Sequence, residues 1–122
     1  MWIKRLTLFA VLLACGVIAL GAFTRLQDAG LGCPDWPGCY GHLVVPESHE
    51  AIQHANNNYP ERPVEPHKAW AEMVHRYFAS TLGLVIVVIL VLSLRARKAN
   101  PHAPVKLPLL LTALVIFQGL LG

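Results

Sequence analysis

Three long apolar runs, separated by polar stretches of unequal length, set the pattern of this 122-residue chain. The first covers 6–23 and the second 77–94, and neither contains a charged residue. As helices rising 1.5 Å per residue, each is about 27 Å long, close to the hydrocarbon thickness of a bilayer. The second run is rich in Val and Ile, which in water would favour a strand. In lipid the backbone must satisfy its own hydrogen bonds, so a helix is expected. The third run, 107–122, is short for a span, and its closing Phe117-Gln118-Gly119-Leu120-Leu121-Gly122 has no polar terminator. This predicts an all-α, polytopic transmembrane helical bundle that is the front part of a longer protein. Its parts are a span at 6–23, an outer loop at 24–68, a span at 69–94, a cytoplasmic loop at 95–106 and a truncated span at 107–122.

Composition narrows the class. Hydrophobic residues make up 55% and charged residues 14% of the chain, where soluble domains carry roughly 25% charged. The net charge of +3 is small and sits at the ends of the apolar runs, which excludes a nucleic-acid partner. Lys4 and Arg5 precede the first run, and Arg95, Arg97, Lys98 and Lys106 lie between the second and third. The 24–68 stretch has only Arg25, Arg62 and Lys68 against six acidic residues. The positive-inside rule then places the N-terminus in the cytoplasm and 24–68 outside. In a bacterium that is the periplasmic side of the inner membrane. The first run also resembles a signal peptide, but its length and the two runs after it favour an uncleaved helix.

The outer loop is longer than a connector needs, and long loops tend to carry function. It holds most of the prolines and four of the six histidines. Asn56-Asn57-Asn58 and the spacing of Pro60, Pro63 and Pro66 predict irregular or polyproline-like backbone, after a short amphipathic helix at 48–55 capped by Ser48. Cys33 and Cys39 admit three readings. They are a disulfide that shapes the loop, a pair that exchanges with a partner thiol, or part of a metal site with His42, which lacks a fourth ligand. Cys15 reads as packing. His42, His49, His54 and His67 have no metal-ligand spacing and are assigned no role.

Ionisable residues enter the second span in Lys68-Ala69-Trp70-Ala71-Glu72-Met73-Val74-His75-Arg76-Tyr77. Such groups are costly at the membrane edge unless they face a partner, water or a cofactor. Glu72 and His75 are three apart and share a helical face, which continues through Ala79, Leu82, Gly83 and Ile86. Small residues below a histidine leave room for a flat ligand, as where a bundle holds heme through an axial imidazole. Arg76 and Arg25 are candidates to neutralise propionates at that depth. The competing readings are an interfacial anchor of Trp70, Tyr77, His75 and Arg76 and a Glu72–His75 proton relay.

Three stretches carry a family resemblance. Gly21-Ala22-Phe23-Thr24-Arg25-Leu26, with Gly30-Leu31-Gly32-Cys33-Pro34-Asp35-Trp36-Pro37-Gly38-Cys39-Tyr40-Gly41, resembles the first outer loop of bacterial heme A synthases. The 68–77 stretch with Gly83 resembles the segment that follows, and Gln118-Gly119-Leu120-Leu121-Gly122 is similar to the start of that family's third span. The resemblance implies eight helices in two four-helix halves, each offering a histidine pair to a heme. It implies oxidation of the C8 methyl group of heme O to the formyl group of heme A, for terminal oxidases. His75 would be an axial iron ligand, Glu72 the acid/base beside the reacting heme, and Cys33–Cys39 the outer-loop cysteine pair, a disulfide in the loop-shaping reading. Arg76 and Arg25, from their depth, join the site as cofactor-binding residues. The implied cofactors are heme O as substrate and heme B. The implied partners are membrane lipid, heme O synthase and a second copy of the chain. His102 cannot be the second ligand, because it lies in the 95–106 loop. The alternatives are a non-catalytic b-type heme-binding membrane subunit and a membrane thiol oxidase using Cys33 and Cys39.

Overall fold

A computed structural model of the chain describes residues 2–26, 32–35 and 38–121. Four helices follow in order: α1 Trp2–Leu26, α2 His49–Asn58, α3 Pro66–Ala99 and α4 Lys106–Leu121. No strand occurs among the described residues, and the only ladder-type pairing there is the isolated Cys39–His42 bridge. The all-helical class is therefore as expected. Gly30, Leu31, Trp36, Pro37 and the terminal Gly122 of the motifs above lie outside the described residues.

Both long helices outrun their apolar cores. Helix α1 extends past 6–23 at each end, and α3 adds Pro66–Lys68 and Arg95–Ala99 to the expected span. Pro66 occupies the first helical position, where a missing N–H costs nothing. Pro101, just beyond the last residue, stops the helix. At 34 residues α3 is about 51 Å long, well over a hydrocarbon core of about 30 Å. Helices α1 and α3 are long and apolar enough to cross a membrane, while the 16-residue α4 is a shorter apolar helix. Leu12, Leu84 and Leu110 are exposed, like most large apolar residues of these helices. A water-soluble protein rarely leaves so much apolar surface uncovered.

The chain forms two compact units. One combines Met1–Gly16 with Phe78–Gly122. In it, Gly83 of α3 faces Val115 of α4, whose Cγ1 would stand 3.5 Å from an added Cβ. That is ordinary packing distance, so the small residue accommodates a neighbouring helix. Thr7 and Thr112 return their hydroxyl protons to the carbonyls of Ile3 and Pro108, which satisfies them inside apolar helices. The link from α3 to α4 turns at Asn100, whose carbonyl accepts from Ala103 N and whose side chain accepts from His102 N.

The second unit, Val17–Tyr77, has the buried core. Cys33, Cys39, Tyr40, Val45, Ala55, Ala69 and Met73 pack together, with Tyr59 and Val64 against them. Ser48 caps α2 by accepting from Ala51 N, as the sequence predicts. The helix then runs through Asn56-Asn57-Asn58, where irregular backbone was the expectation. The asparagines are used instead of breaking it: Asn56 Oδ1 accepts from Val64 N at 2.8 Å and Asn58 bonds His54. Both bonds tie the proline-rich return to the helix or stiffen its last turn.

Residues 39–42 form a tight reversal in which Cys39 and His42 exchange both backbone hydrogen bonds. Tyr40 and Gly41 have φ of 54° and 80°, the mirror-image turn that only Gly adopts without cost. The Asp35 carboxylate accepts from the N–H of both residues, which offsets the strain at Tyr40. Gly32 is set by close approach: an added Cβ would stand 2.8 Å from the Lys68 carbonyl. The Tyr40 hydroxyl donates to Arg62 O at 3.0 Å, and its ring meets Tyr59 edge-on. Burial raises the Tyr40 phenol above its ordinary 10.0, with Arg62 opposing and Glu65, Asp35 and Glu72 adding to the rise.

Two outcomes follow from this unit. Gly32→Ala is expected to destabilise the full chain by about 1–3 kcal/mol, since backbone rather than a flexible side chain must yield, as read by thermal unfolding in detergent. Tyr40 has a folded pKa above its unfolded one, so above pH 10.0 the native state holds the extra proton. The contribution of the neutral phenol is complete below that pH and is lost as pH rises toward the folded value. Tyr40→Phe should flatten this alkaline decline in melting temperature.

Candidate functional site

The site is assembled where the disulfide loop meets the first turns of α3. Cys33 and Cys39 are bonded to each other, with Cα atoms 4.9 Å apart. This overturns the metal reading of Cys33, Cys39 and His42, because neither sulfur is left as a thiolate. No group of three or more His, Cys, Asp or Glu suited to a metal ion occurs among the described residues. Cys15, expected to be packed, is a free and exposed thiol on α1. His42 is exposed at the reversal, and His49, His54 and His67 lie exposed on α2 and at the start of α3.

Glu72 is buried, and both its oxygens are engaged. Oε2 accepts from Cys33 N at 3.0 Å, and Oε1 pairs with Nη2 of Arg76 one turn on. Arg76 Nη1 donates to Asp35 O at 2.8 Å and to Gly38 O at 2.9 Å. A buried carboxylate is tolerated only when paired and hydrogen-bonded, and this one is both. Arg76 was expected among propionate partners, yet three of its five N–H donors serve the loop and Glu72. Arg25 is exposed in the last turn of α1.

His75 lies on the same helix turn but engages a different neighbour. Its imidazole is half-buried and stands against Gly21 of α1, where an added Cβ would lie 3.1 Å from Nε2. Thr24, one turn further along α1, bonds Leu20 O and reaches Ala71 O at 3.4 Å. A small residue and a hydroxyl thus bring α1 close to α3 beside the ring. Among the described residues His75 makes no hydrogen bond and shares none with Glu72, and neither ring nitrogen is both sealed and unpartnered. A proton relay between the two therefore has no direct bond to run through. An imidazole nitrogen without a protein partner, in an apolar setting, has the donor chemistry that heme iron takes. The donor type suits that group, with Nε2 standing against α1 at Gly21.

Trp70 and Tyr77 are tied to the loop rather than simply marking a headgroup level. Trp70 Nε1 donates to Glu47 at 3.1 Å, and the Tyr77 hydroxyl donates to Leu43 O. Sequence reasoning did not single out Gly21, Thr24, Asp35 or Met73. The nearest signal was Asp35 between two prolines and ahead of Tyr40-Gly41, a composition that favours a side-chain-bonded turn.

The family model for COX15-CtaA, described as a cytochrome oxidase assembly protein, matches residues 4–122. The chain belongs to the COX15-CtaA family. It is 52% identical to a heme A synthase of Shewanella oneidensis over 121 residues, 99% of this chain and 34% of that protein. Heme A synthases of Shouchella clausii and Alkalihalophilus pseudofirmus are 28% and 27% identical over 98% of the chain. The chain spans about a third of the length of these curated relatives. No solved structure gives a significant match. With two helices long and apolar enough to span, this COX15-CtaA member is a membrane protein.

Gly21→Val is expected to push the His75 ring aside and lower stability by about 1–3 kcal/mol. Gly16→Ala, which would meet nothing within 4 Å, should leave stability unchanged or raise it slightly. Thermal unfolding of the full chain separates the two.

Proposed function

We propose that this chain carries a heme-facing site of a heme A synthase, the enzyme that converts the C8 methyl group of heme O to the formyl group of heme A. The observation carrying this reading is the His75 imidazole, half-buried beside Gly21 and without a protein hydrogen bond among the described residues. The family match and the 52% identical relative support it.

In this reading His75 provides the axial nitrogen, and Gly21, having no side chain, lets the ring lie against α1. Arg25, exposed at the end of α1, pairs with a propionate. Converting a methyl group to a formyl group with oxygen taken from water releases four protons and four electrons, the electrons leaving to a separate acceptor. Glu72 accepts protons in this reading, at the cost of loosening its pair with Arg76. Heme O itself, as substrate, supplies the conjugated macrocycle over which developing charge spreads. Helix α4 is a third span, and the Lys/Arg distribution puts the N-terminus in the cytoplasm and the disulfide loop at the outer face of a bacterial inner membrane. The eight-helix layout, heme B in the whole protein and supply of heme O by heme O synthase belong to the same reading. A thiol oxidase fits less well, because its exchanging sulfurs should be accessible, and those of Cys33 and Cys39 are buried.

In the full-length protein, His75→Ala should abolish one heme signal in reduced-minus-oxidised spectra and end heme A formation. Normal heme content and product would overturn the assignment, and heme B alone would indicate a non-catalytic b-type subunit. Glu72→Gln should retain heme but lower the rate of heme A formation by about 10²–10⁴-fold, the usual scale for a lost acid or base. An unchanged rate would remove the acid/base role.

A further inference from the structure

The Arg76 guanidinium stands where three parts of the outer unit converge. Its Nη1 donates to the carbonyls of Asp35 and Gly38, which flank the middle of the disulfide loop. Its Nη2 pairs with Glu72, whose second oxygen receives the Cys33 N–H where the loop begins. Two side chains one turn apart on α3 therefore grip the loop at Cys33, Asp35 and Gly38. The Arg76 and Glu72 side chains are only 19% and 11% exposed, so these bonds form with little competition from water. The arrangement needs a planar fork that reaches two carbonyls and a carboxylate together. A lysine, with a compact charge on a flexible stem, does not reproduce it.

The loop braces itself from the other side. The Asp35 carboxylate holds the N–H groups of Tyr40 and Gly41, so the peptide carbonyl that Arg76 grips is already fixed. Each Arg76 bond therefore acts on a preformed turn and spends little on ordering it. A propionate taking up this guanidinium would have to displace bonds that are already made.

Given the heme-facing reading above, we infer that Arg76 is a positioning residue: it holds the Cys33–Cys39 loop against α3 and sets the Glu72 carboxylate, and does not serve as a propionate partner. The sulfurs report on this directly. Cys33 and Cys39 are 2% and 0% exposed, so an attacking thiolate reaches them only when the loop lifts from α3 and the Arg76 bonds break. The rate at which the disulfide is reduced then follows the population of the lifted loop.

The test is reduction of the disulfide in the full-length protein by dithiothreitol, followed by gel shift after alkylation of the new thiols. Dithiothreitol gives two electrons and two protons to the S–S bond and closes to its own cyclic disulfide. Arg76→Gln and Arg76→Lys are both expected to speed reduction by about tenfold or more, the scale of losing a charge-assisted hydrogen bond. Lysine should fail to rescue. Helix content should stay near wild type while the melting temperature falls, because Glu72 loses its buried partner, so reduction is read well below the melting range. Glu72→Gln, which keeps an acceptor for Cys33 N–H, should have a smaller effect and add little to Arg76→Gln in the double variant. Reduction within twofold of wild type in both Arg76 variants, with a weakened heme spectrum, would overturn the inference in favour of a propionate contact. Should neither variant accumulate, hydrogen exchange on the unaltered protein decides: a protected Cys33 amide supports the clamp, and an amide exchanging at the open-chain rate overturns it. The disulfide readout is independent of heme. If His75→Ala leaves heme binding intact while Arg76 variants still speed reduction, the functional reading falls and the positioning role stands.

Discussion

One buried carboxylate organises the Val17–Tyr77 unit. Glu72 lies among apolar neighbours, where an unpaired charge would cost several kcal/mol, and is kept there by a backbone N–H from Cys33 and the guanidinium of Arg76. Each partner is itself committed elsewhere. Cys33 is tied to Cys39, and Arg76 to Asp35 and Gly38. The carboxylate therefore has its orientation fixed by the loop, and the loop its seat fixed by the carboxylate. Neither α3 nor the loop would specify this arrangement alone.

His75, three residues from Glu72, is held differently. Steric shape does the work: Gly21 gives the ring space against α1, and Thr24 adds a hydroxyl contact to Ala71 O. One helix segment thus carries a carboxylate constrained by charge and an imidazole constrained by packing, with the imidazole's nitrogens unclaimed by protein among the described residues. Membership of the COX15-CtaA family gives this contrast its chemical setting. Under the proposed reading, His75 is the nitrogen left available to a ligand and Glu72 the oxygen aimed for proton transfer.

Hydrophobic patterning made the helices legible. An uninterrupted apolar run needs no tertiary information to be read as a span, and Ser48 announced α2 by its capping chemistry. The ends of the helices were not legible, because the charged flanks Trp2–Arg5 and Arg95–Ala99 stay helical without any apolar periodicity to reveal it. Asn56–Asn58 misled for a related reason: local preference for turns was overridden by side-chain bonds to His54 and Val64. At the site, Glu72, His75 and the cysteines stood out because charges and thiols are conspicuous in apolar sequence. The task of Arg76 did not, since its partners are backbone carbonyls more than thirty positions away. Such partners carry no side-chain signature.

The near-complete enclosure of both sulfurs has a bearing on how the protein is made. Once Cys33 and Cys39 are seated, an oxidising enzyme has no access to either thiol, so the cross-link must form before this segment docks. Chain synthesis supplies that interval, because α3 and its gripping side chains are made only after the cysteines. A cell that lacked timely oxidation would bury reduced thiols beneath the seated segment, and later repair would require undocking it.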